Sequence, residues 1–180
     1  SRGFALEQAG SEADWEEFTT RMLAPHASAR FGDDAWIPSL YLLRRFREEG
    51  RLHFVLHGGR RVAGFCSLRC GGTLWLPLSG VRDGDPGLLR AGAAGAAYAL
   101  GFEWARRQGC SRVDMGRTSP FITDGVLQYK RKWGLTAVSD PLAHLTAVWV
   151  GSDAARLAFA RQPVLAEGDQ GLWVYAGGGL

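Results

Sequence analysis

The residues of this sequence best placed to bind or polarise an anion lie in one stretch, GRTSPFITDGVLQYKRKWG, residues 116–134. Arg117, Thr118 and Ser119 stand in a Gly/Ser/Pro loop. Lys130, Arg131 and Lys132 follow in the last turns of a short helix over about 124–132, which Asp124 can cap and Gly134 can end in a left-handed conformation. Cations in a last turn suit the helix dipole, so helix stabilisation alone is one reading of the three. It leaves the polar loop unexplained. That loop comes directly after the strand-like SRVDMG, and the end of a strand is a common place for a site.

A second anion-binding possibility lies at 82–95. A Gly-rich turn that opens a helix presents unpaired backbone N–H groups, which suits a phosphate. RDGDPG (82–87) contains Arg82, Gly84 and Gly87 but also Asp83 and Asp85, which disfavour an anion; RAGAAG (90–95) begins with Arg90 and contains no carboxylate. Packing is the competing explanation, because Leu88, Gly92, Gly95, Ala99 and Phe102 form a small-residue stripe on one predicted helix face.

Other chemistries find less support. No G-x-S-x-G elbow occurs, and no motif links His26, His53, His57 or His144 to a serine or cysteine nucleophile. His53 and His57 with Cys66 and Cys70 have zinc-like spacing. A hairpin turning at Gly59-Arg60, however, places His53 opposite Cys66, His57 opposite Val62 and Cys70 beyond the end, so the four do not converge and no metal is expected. Direct attack by an acceptor amine needs only a base, for which Asp114, His144 or a water would serve.

These groups need a scaffold, and 180 residues of 19.6 kDa suit one domain, expected over 1–176 with a flexible tail at 177–180. An apolar fraction of 46% and a charged fraction of 22% exclude a disordered chain and a coiled coil. Residues 1–50 hold six of the 21 basic and nine of the 18 acidic residues, net −3, which leaves net +6 beyond them and favours an anionic partner such as a phosphorylated cofactor or RNA. No apolar run is long enough to span a bilayer, and three cysteines do not form a disulfide framework. The first residues lack a signal-peptide pattern, so a reducing, cytoplasmic setting is expected.

Along the chain, FALEQA reads as a strand and SEADWEEF opens a helix to about residue 23. Pro25 and Pro38 then bracket an irregular stretch, and SLYLLRRFREEG forms a second helix with Leu40, Leu43 and Phe46 on one face and Gly50 as its stop. Period-two alternation over 52–57, 62–68 and TLWLPLSGV predicts an antiparallel meander. GLLRAGAAGAAYALGFEWARRQG is one helix whose return into SRVDMG implies a crossover. LTAVSDPLAHLTAVWVG and GLWVYAG are further strands with a helix, SDAARLAFARQ, between them. The expected class is α+β: a three-layer α/β/α arrangement with a mixed, mainly antiparallel sheet.

Pro86-Gly87-Leu88-Leu89, Trp104-Ala105 through Gly109, Val113-Asp114-Met115-Gly116 and Tyr129-Lys130-Arg131-Lys132-Trp133-Gly134 together resemble the FemAB-like branch of the GNAT acyltransferase superfamily over roughly residues 50–140. The resemblance implies transfer of an acyl group from a thioester, acyl-CoA or acyl carrier protein, to an amine of a small molecule or peptide by direct attack. The co-substrate is not a tightly bound cofactor, and neither DNA nor a membrane span is implied. Aminoacyl-tRNA is the donor in the peptidoglycan-bridge enzymes of this branch, and a non-catalytic binding module of a larger protein is a third reading. Lys130 takes the place of the tyrosine that protonates the leaving thiolate in ordinary GNAT domains. An ammonium there would stabilise developing negative charge. Beside Lys130, Asp114 as a candidate base and Arg117, which with Ser119 would hold the acceptor or a donor phosphate, complete the expected catalytic set. Backbone N–H groups of Leu78, Ser79, Gly80 and Val81 would polarise the carbonyl, with the donor phosphates near Arg82, Gly84, Gly87 and Arg90. Thr118, Ser119, Tyr129 and Trp75 would contact substrate, Trp75 with Tyr98 and Trp104 in an acyl or peptide channel.

Overall fold

The computed structural model describes residues 3–139, 152, 161–168 and 171–175. The chain divides into two compact units, Ser1–Gly116 and Arg117–Leu180.

In the first unit β1 (Phe4–Ala9), β2 (Arg51–His57), β3 (Arg60–Cys70), β4 (Thr73–Val81) and β5 (Arg112–Asp114) form one sheet in that order. The first four strands are antiparallel, and β5 joins β4 in parallel. α1 (Glu12–Phe18), a π-helical turn (Thr19–Leu23), α2 (Ala24–Phe31) and α3 (Leu40–Glu49) precede β2. α4 (Pro86–Ala91) and α5 (Ala93–Arg107) make the crossover from β4 to β5. Two separate apolar clusters cover the sheet. One joins Trp15, Phe18, Met22 and Phe46 to Leu52, Phe54, Cys66 and Leu78; the other sets Ala93, Ala97 and Ala105 of α5 against Val55, Phe65, Leu74 and Leu76. The unit is therefore three-layered, as alternation and element order predict.

Local chemistry revises several boundaries. The helical path continues from Glu12 to Phe31, because the π turn bonds Ala24 N–H to Thr19 C=O and Pro25 then falls in the first turn of α2, where its missing N–H costs nothing. In α3 it is Leu42, Leu43 and Phe46 that pack; Leu40 is 86% exposed. Gly50, extended in backbone, ends that helix, and only glycine fits there, since an added Cβ would lie 2.5 Å from the Phe46 carbonyl oxygen. The long predicted helix breaks at Gly92, whose φ of 94° is left-handed, and the buried stripe is Ala93, Ala97, Gly101 and Ala105, while Ala99 is exposed.

Two strand irregularities matter for the site. The β2–β3 hairpin turns at Gly58-Gly59, both with positive φ, and β3 carries one extra residue at Val62, so His53 pairs with Phe65 and Leu52 with Cys66. The expected pairing of His53 with Cys66 is thus wrong by one position, and the two side chains enter opposite faces. In β4 three steps (Trp75 to Leu78) oppose two in β3 (Leu68 to Cys66), a bulge at Leu76-Pro77. It reverses the alternation: Trp75 and Leu78, three apart, share one face, and Gly80 follows them.

Gly80 is where the π turn meets the sheet. A Cβ there would lie 2.5 Å from the carbonyl carbon and oxygen of Met22 and 2.7 Å from Leu23 N. Beside this contact Arg61 joins Glu7, Asp14 and Glu17 and stacks over the Phe54 ring at 4.0 Å, while Arg82 bonds Glu17 and the Arg61 carbonyl.

In the second unit α6 (Gly125–Arg131) is followed by β6 (Val164–Gly168) paired antiparallel with β7 (Gly171–Tyr175). Residues 135–139 are not a strand. The rest of the predicted strand, with His144, most of the predicted helix at 152–162 and the tail at 177–180 lie outside the described residues.

Gly80→Ala is expected to lower the thermal midpoint by the equivalent of about 1–3 kcal/mol, since backbone must move to admit the methyl. Gly10→Ala, with no atom within 4 Å of the new Cβ, leaves the midpoint nearly unchanged. Asp14 is held down from its usual 3.8 to about 2, chiefly by the Ser11 hydroxyl and with help from Arg61. A depressed carboxylate stabilises above its unfolded pKa and loses that contribution as pH falls through the folded one. The stability gap between the wild type and Asp14→Asn should therefore close between about pH 4 and pH 2 in urea titrations.

Candidate active site

In the first unit the bulge controls the backbone. Pairing of β4 with β5 is limited to Thr73–Arg112, Leu74–Val113 and Trp75–Asp114. β4 runs on to Val81, so among the described residues its edge on the β5 side is unpaired from Leu76 onward. Leu78, Ser79, Gly80 and Val81 all lie on this stretch. Asp114 ends β5 by accepting the Gly116 N–H at 2.7 Å, leaving its carboxylate exposed. A strand edge of this kind can pair with an amide-bearing chain.

The 82–95 region separates its two anion candidates. At RDGDPG the first N–H groups of α4 are already occupied, because the Asp85 carboxylate accepts from Gly87 and Leu88. Gly84 is buried against α2, where a Cβ would come within 2.9 Å of Ala29 Cβ, and Arg82 is engaged with Glu17. Asp83 takes the unusual φ of 52° and is gripped by Arg21 through two hydrogen bonds of 2.8 and 3.0 Å. At RAGAAG, by contrast, Gly92 caps the 15-residue α5 with no side chain to accept from its first turn, and Arg90 is exposed nearby. The backbone there is suited to an anion.

Trp75 and Trp104 do not line one channel. Trp75 packs edge-on to Phe46 with centroids 5.7 Å apart on one face of the sheet, and Trp104 lies against His53 on the other. Tyr98 accompanies Phe102 on the α5 side. Cys66 is buried, and burial pushes its thiol up to about 12, which makes it inert. Groups of three or more metal-ligating side chains are absent among the described residues.

In the second unit Asp124 caps α6 by accepting from Leu127 N at 2.8 Å, and Thr118 Oγ1 donates to the same carboxylate at 3.3 Å. Ser119 Oγ accepts from Phe121 N, and the segment around it is pinned where Ile122 N donates to Pro163 C=O and Leu165 N to Pro120 C=O. Gln128 reaches back to the Ile122 carbonyl. The loop and α6 are thus one hydrogen-bonded piece. Lys130, 7% exposed, points into it and donates to the Arg117 carbonyl at 2.7 Å, whereas Arg131 and Lys132 are exposed. Tyr129 meets Trp133 edge-on at 6.3 Å. Of three adjacent cations one is buried, and a buried ammonium needs such oxygen partners.

Sequence reasoning missed the bulge and the π turn. Proline inside a strand is a signal for the first; the second left no mark beyond Pro25 in a helical run.

The family model of the acetyltransferase (GNAT) domain matches residues 1–131. The chain belongs to this family. No curated protein matches it in sequence. Among solved structures it is similar to an aminoglycoside acetyltransferase from an uncultured soil metagenomic sample in complex with trehalose, at 16% identity and TM-score 0.53 over 83% of this chain and 99% of that one. A GNAT family acetyltransferase from Elizabethkingia anophelis with acetyl-CoA bound aligns at 15% identity and TM-score 0.55, covering 78% and 80% of the two chains. A Bacillus subtilis acetyltransferase in complex with CoA aligns at 15% and 0.52, covering 73% and 75%. These likenesses show the GNAT-like fold.

Removing the cap with Asp124→Ala should cost α6 about 1 kcal/mol. Amide exchange at Leu127 and Gln128 is expected to speed up roughly five-fold with little change in the global midpoint; unchanged exchange would show that the cap does not hold the helix.

Proposed function

We propose that this GNAT-family chain is an N-acyltransferase that moves an acyl group from a thioester, acyl-CoA or an acyl carrier protein, to an amine. The edge of β4 beyond Trp75, unpaired among the described residues, carries this reading. A pantetheine arm is a chain of amides, which such an edge can bind as it would an added strand. The uncapped start of α5 suits the donor's pyrophosphate better than the loop at 82–87, whose helix N–H groups Asp85 already occupies. In the second unit Lys130 is assigned the charge-stabilising role, with its ammonium positioned by the Arg117 carbonyl. The acceptor amine attacks the thioester carbonyl and loses a proton to Asp114 or water; the tetrahedral intermediate expels the thiolate, which leaves as the free thiol.

The acceptor class is a small-molecule or peptide amine. The structural neighbours include aminoglycoside acetyltransferases, one in complex with sisomicin and another with CoA, which supports that class. The single 1–176 domain and a cytoplasmic setting belong to the same proposal; three free cysteines support a reducing compartment. Exposed Arg131 and Lys132 favour a second reading, the FemAB-like one, in which aminoacyl-tRNA is the donor. A non-catalytic module would bind neither donor.

The test is a thiol-release assay with acetyl-CoA, longer acyl-CoAs and acyl carrier thioesters against an amine panel. Lys130→Ala, and Lys130→Met to keep the buried stem, should lower kcat by about 10²–10³ while donor affinity and fold persist. Full turnover by the folded variants would refute the role of Lys130. Turnover that requires charged tRNA and is lost on RNase treatment would select the second reading.

A further inference from the structure

At the far end of the sheet from the unpaired β4 edge, the α5 face changes from apolar to charged. Along β3, Phe65, Ser67 and Arg69 succeed one another on that face; Arg51 is the register partner of Ser67, and Leu74 that of Arg69. A cavity of about 200 Å3 opens there, lined by Glu49, Arg51, Ser67, Arg69, Leu74, Trp104 and Gln108. It holds about six or seven water volumes at roughly 30 Å3 each, which is smaller than a drug-sized site.

The polar groups around this cavity are incompletely used. Arg51 spends one N–H on the Gly50 carbonyl and Arg69 one on the Gly71 carbonyl, and among the described residues neither has a carboxylate partner. Each guanidinium carries five donors, so most of that capacity remains. Glu49 is tied to Arg45. Ser67 is 2% exposed, and its hydroxyl lies 2.9 Å from Nε2 of the fully buried His53. His53 Nδ1 has no hydrogen-bond partner among the described residues. Burial, with Arg51 nearby, pushes this imidazole down to about 4, so it is neutral. A buried orphan acceptor costs less than a buried orphan N–H. An Nε2–H tautomer donating to Ser67 Oγ avoids a buried orphan N–H and leaves the Ser67 hydroxyl proton available to a second acceptor.

We infer that this cavity is a binding site for a small carboxylate with an apolar body, its oxygens held by Arg51, Arg69 and the Ser67 hydroxyl and its body against Trp104 and Leu74. Planar carboxylates match guanidinium forks, and the apolar wall favours them over inorganic phosphate. The site is independent of the acyl-transfer reading: from Ala93 to the lining residues Trp104 and Gln108 the helix runs about 16–22 Å.

Benzoate titrated into the whole protein, followed by the indole N–H shift of Trp104 and the amide shifts of Ser67 and Arg69, is the direct test. Saturable 1:1 binding with a Kd of about 1 mM or tighter is expected. Arg51→Ala and Arg69→Ala should each weaken it at least about ten-fold, with Arg51→Gln as a second exposed-site variant; Ser67→Ala weakens it less, and Arg30→Ala not at all. Weaker binding than this in the wild type, equal binding of uncharged benzamide, insensitivity to both arginines, or a preference for inorganic phosphate would each overturn the proposal.

Discussion

Pro77 has no backbone N–H, and it falls in a strand that must pair with a neighbour on one side. The chain meets this constraint with a bulge at Leu76-Pro77, and much of the first unit follows from it. Because β4 gains a residue there, Trp75 and Leu78 face the same layer and Leu76 the other. β5 pairs only with the part of β4 before the bulge. What remains, Leu76 to Val81, is a strand edge held on one side by β3 and, among the described residues, unpaired on the other. An extended ligand with amide groups needs such an edge.

The same stretch of β4 is braced from one face. The π turn presses Met22 and Leu23 backbone onto Gly80, and Arg21 grips Asp83 just beyond the strand. Arg61 gathers Glu7, Asp14 and Glu17, and its protonated form is favoured further by those carboxylates, Glu7 most. Burial raises the Glu17 carboxyl, but hydrogen bonds from Arg61 and Arg82 outweigh it and hold the group low. These ties are mutual, so removing one charge leaves others uncompensated. On the opposite face the fully buried stripe of α5 is Ala93, Ala97, Gly101 and Ala105, small residues that bring its backbone close to β3 and β4, with Trp104 beside them against His53. The two faces thus fix the edge between them by different means, ionic and steric.

Much of this was legible in the sequence, for identifiable reasons. The meander, the crossover to SRVDMG and the cap at Asp124 each rest on a local rule, alternation, handedness or side-chain capping, which tertiary packing did not override. The helical stretch at 24–31 was not legible because Pro25 reads as a breaker unless a π turn precedes it. Hairpin register was missed by one because two glycines can turn where Gly59-Arg60 also can, and because no proline or glycine marks the bulge at Val62 in the sequence. At the site, sequence reasoning named Lys130 from a motif, but three adjacent cations look alike until burial separates Lys130 from Arg131 and Lys132. Conversely, Arg82 and Gly84 look like anion ligands in sequence and in the fold are occupied by Glu17 and by α2.

The chemistry assigned to the chain needs little machinery of its own. Acyl transfer by direct attack requires an oriented thioester, a positive charge near the developing oxyanion and room for an amine. The first unit offers a strand edge and an uncapped helix start for the donor, and the proposal assigns the positive charge to Lys130 of the second unit. The claim on which the rest depends is that the donor lies along β4. Hydrogen exchange of the backbone amides, with and without saturating acetyl-CoA, tests it most directly. Protection concentrated at Leu78 to Val81 and at Ala93 to Gly95 is the predicted result, whereas protection that spares both stretches would contradict the account.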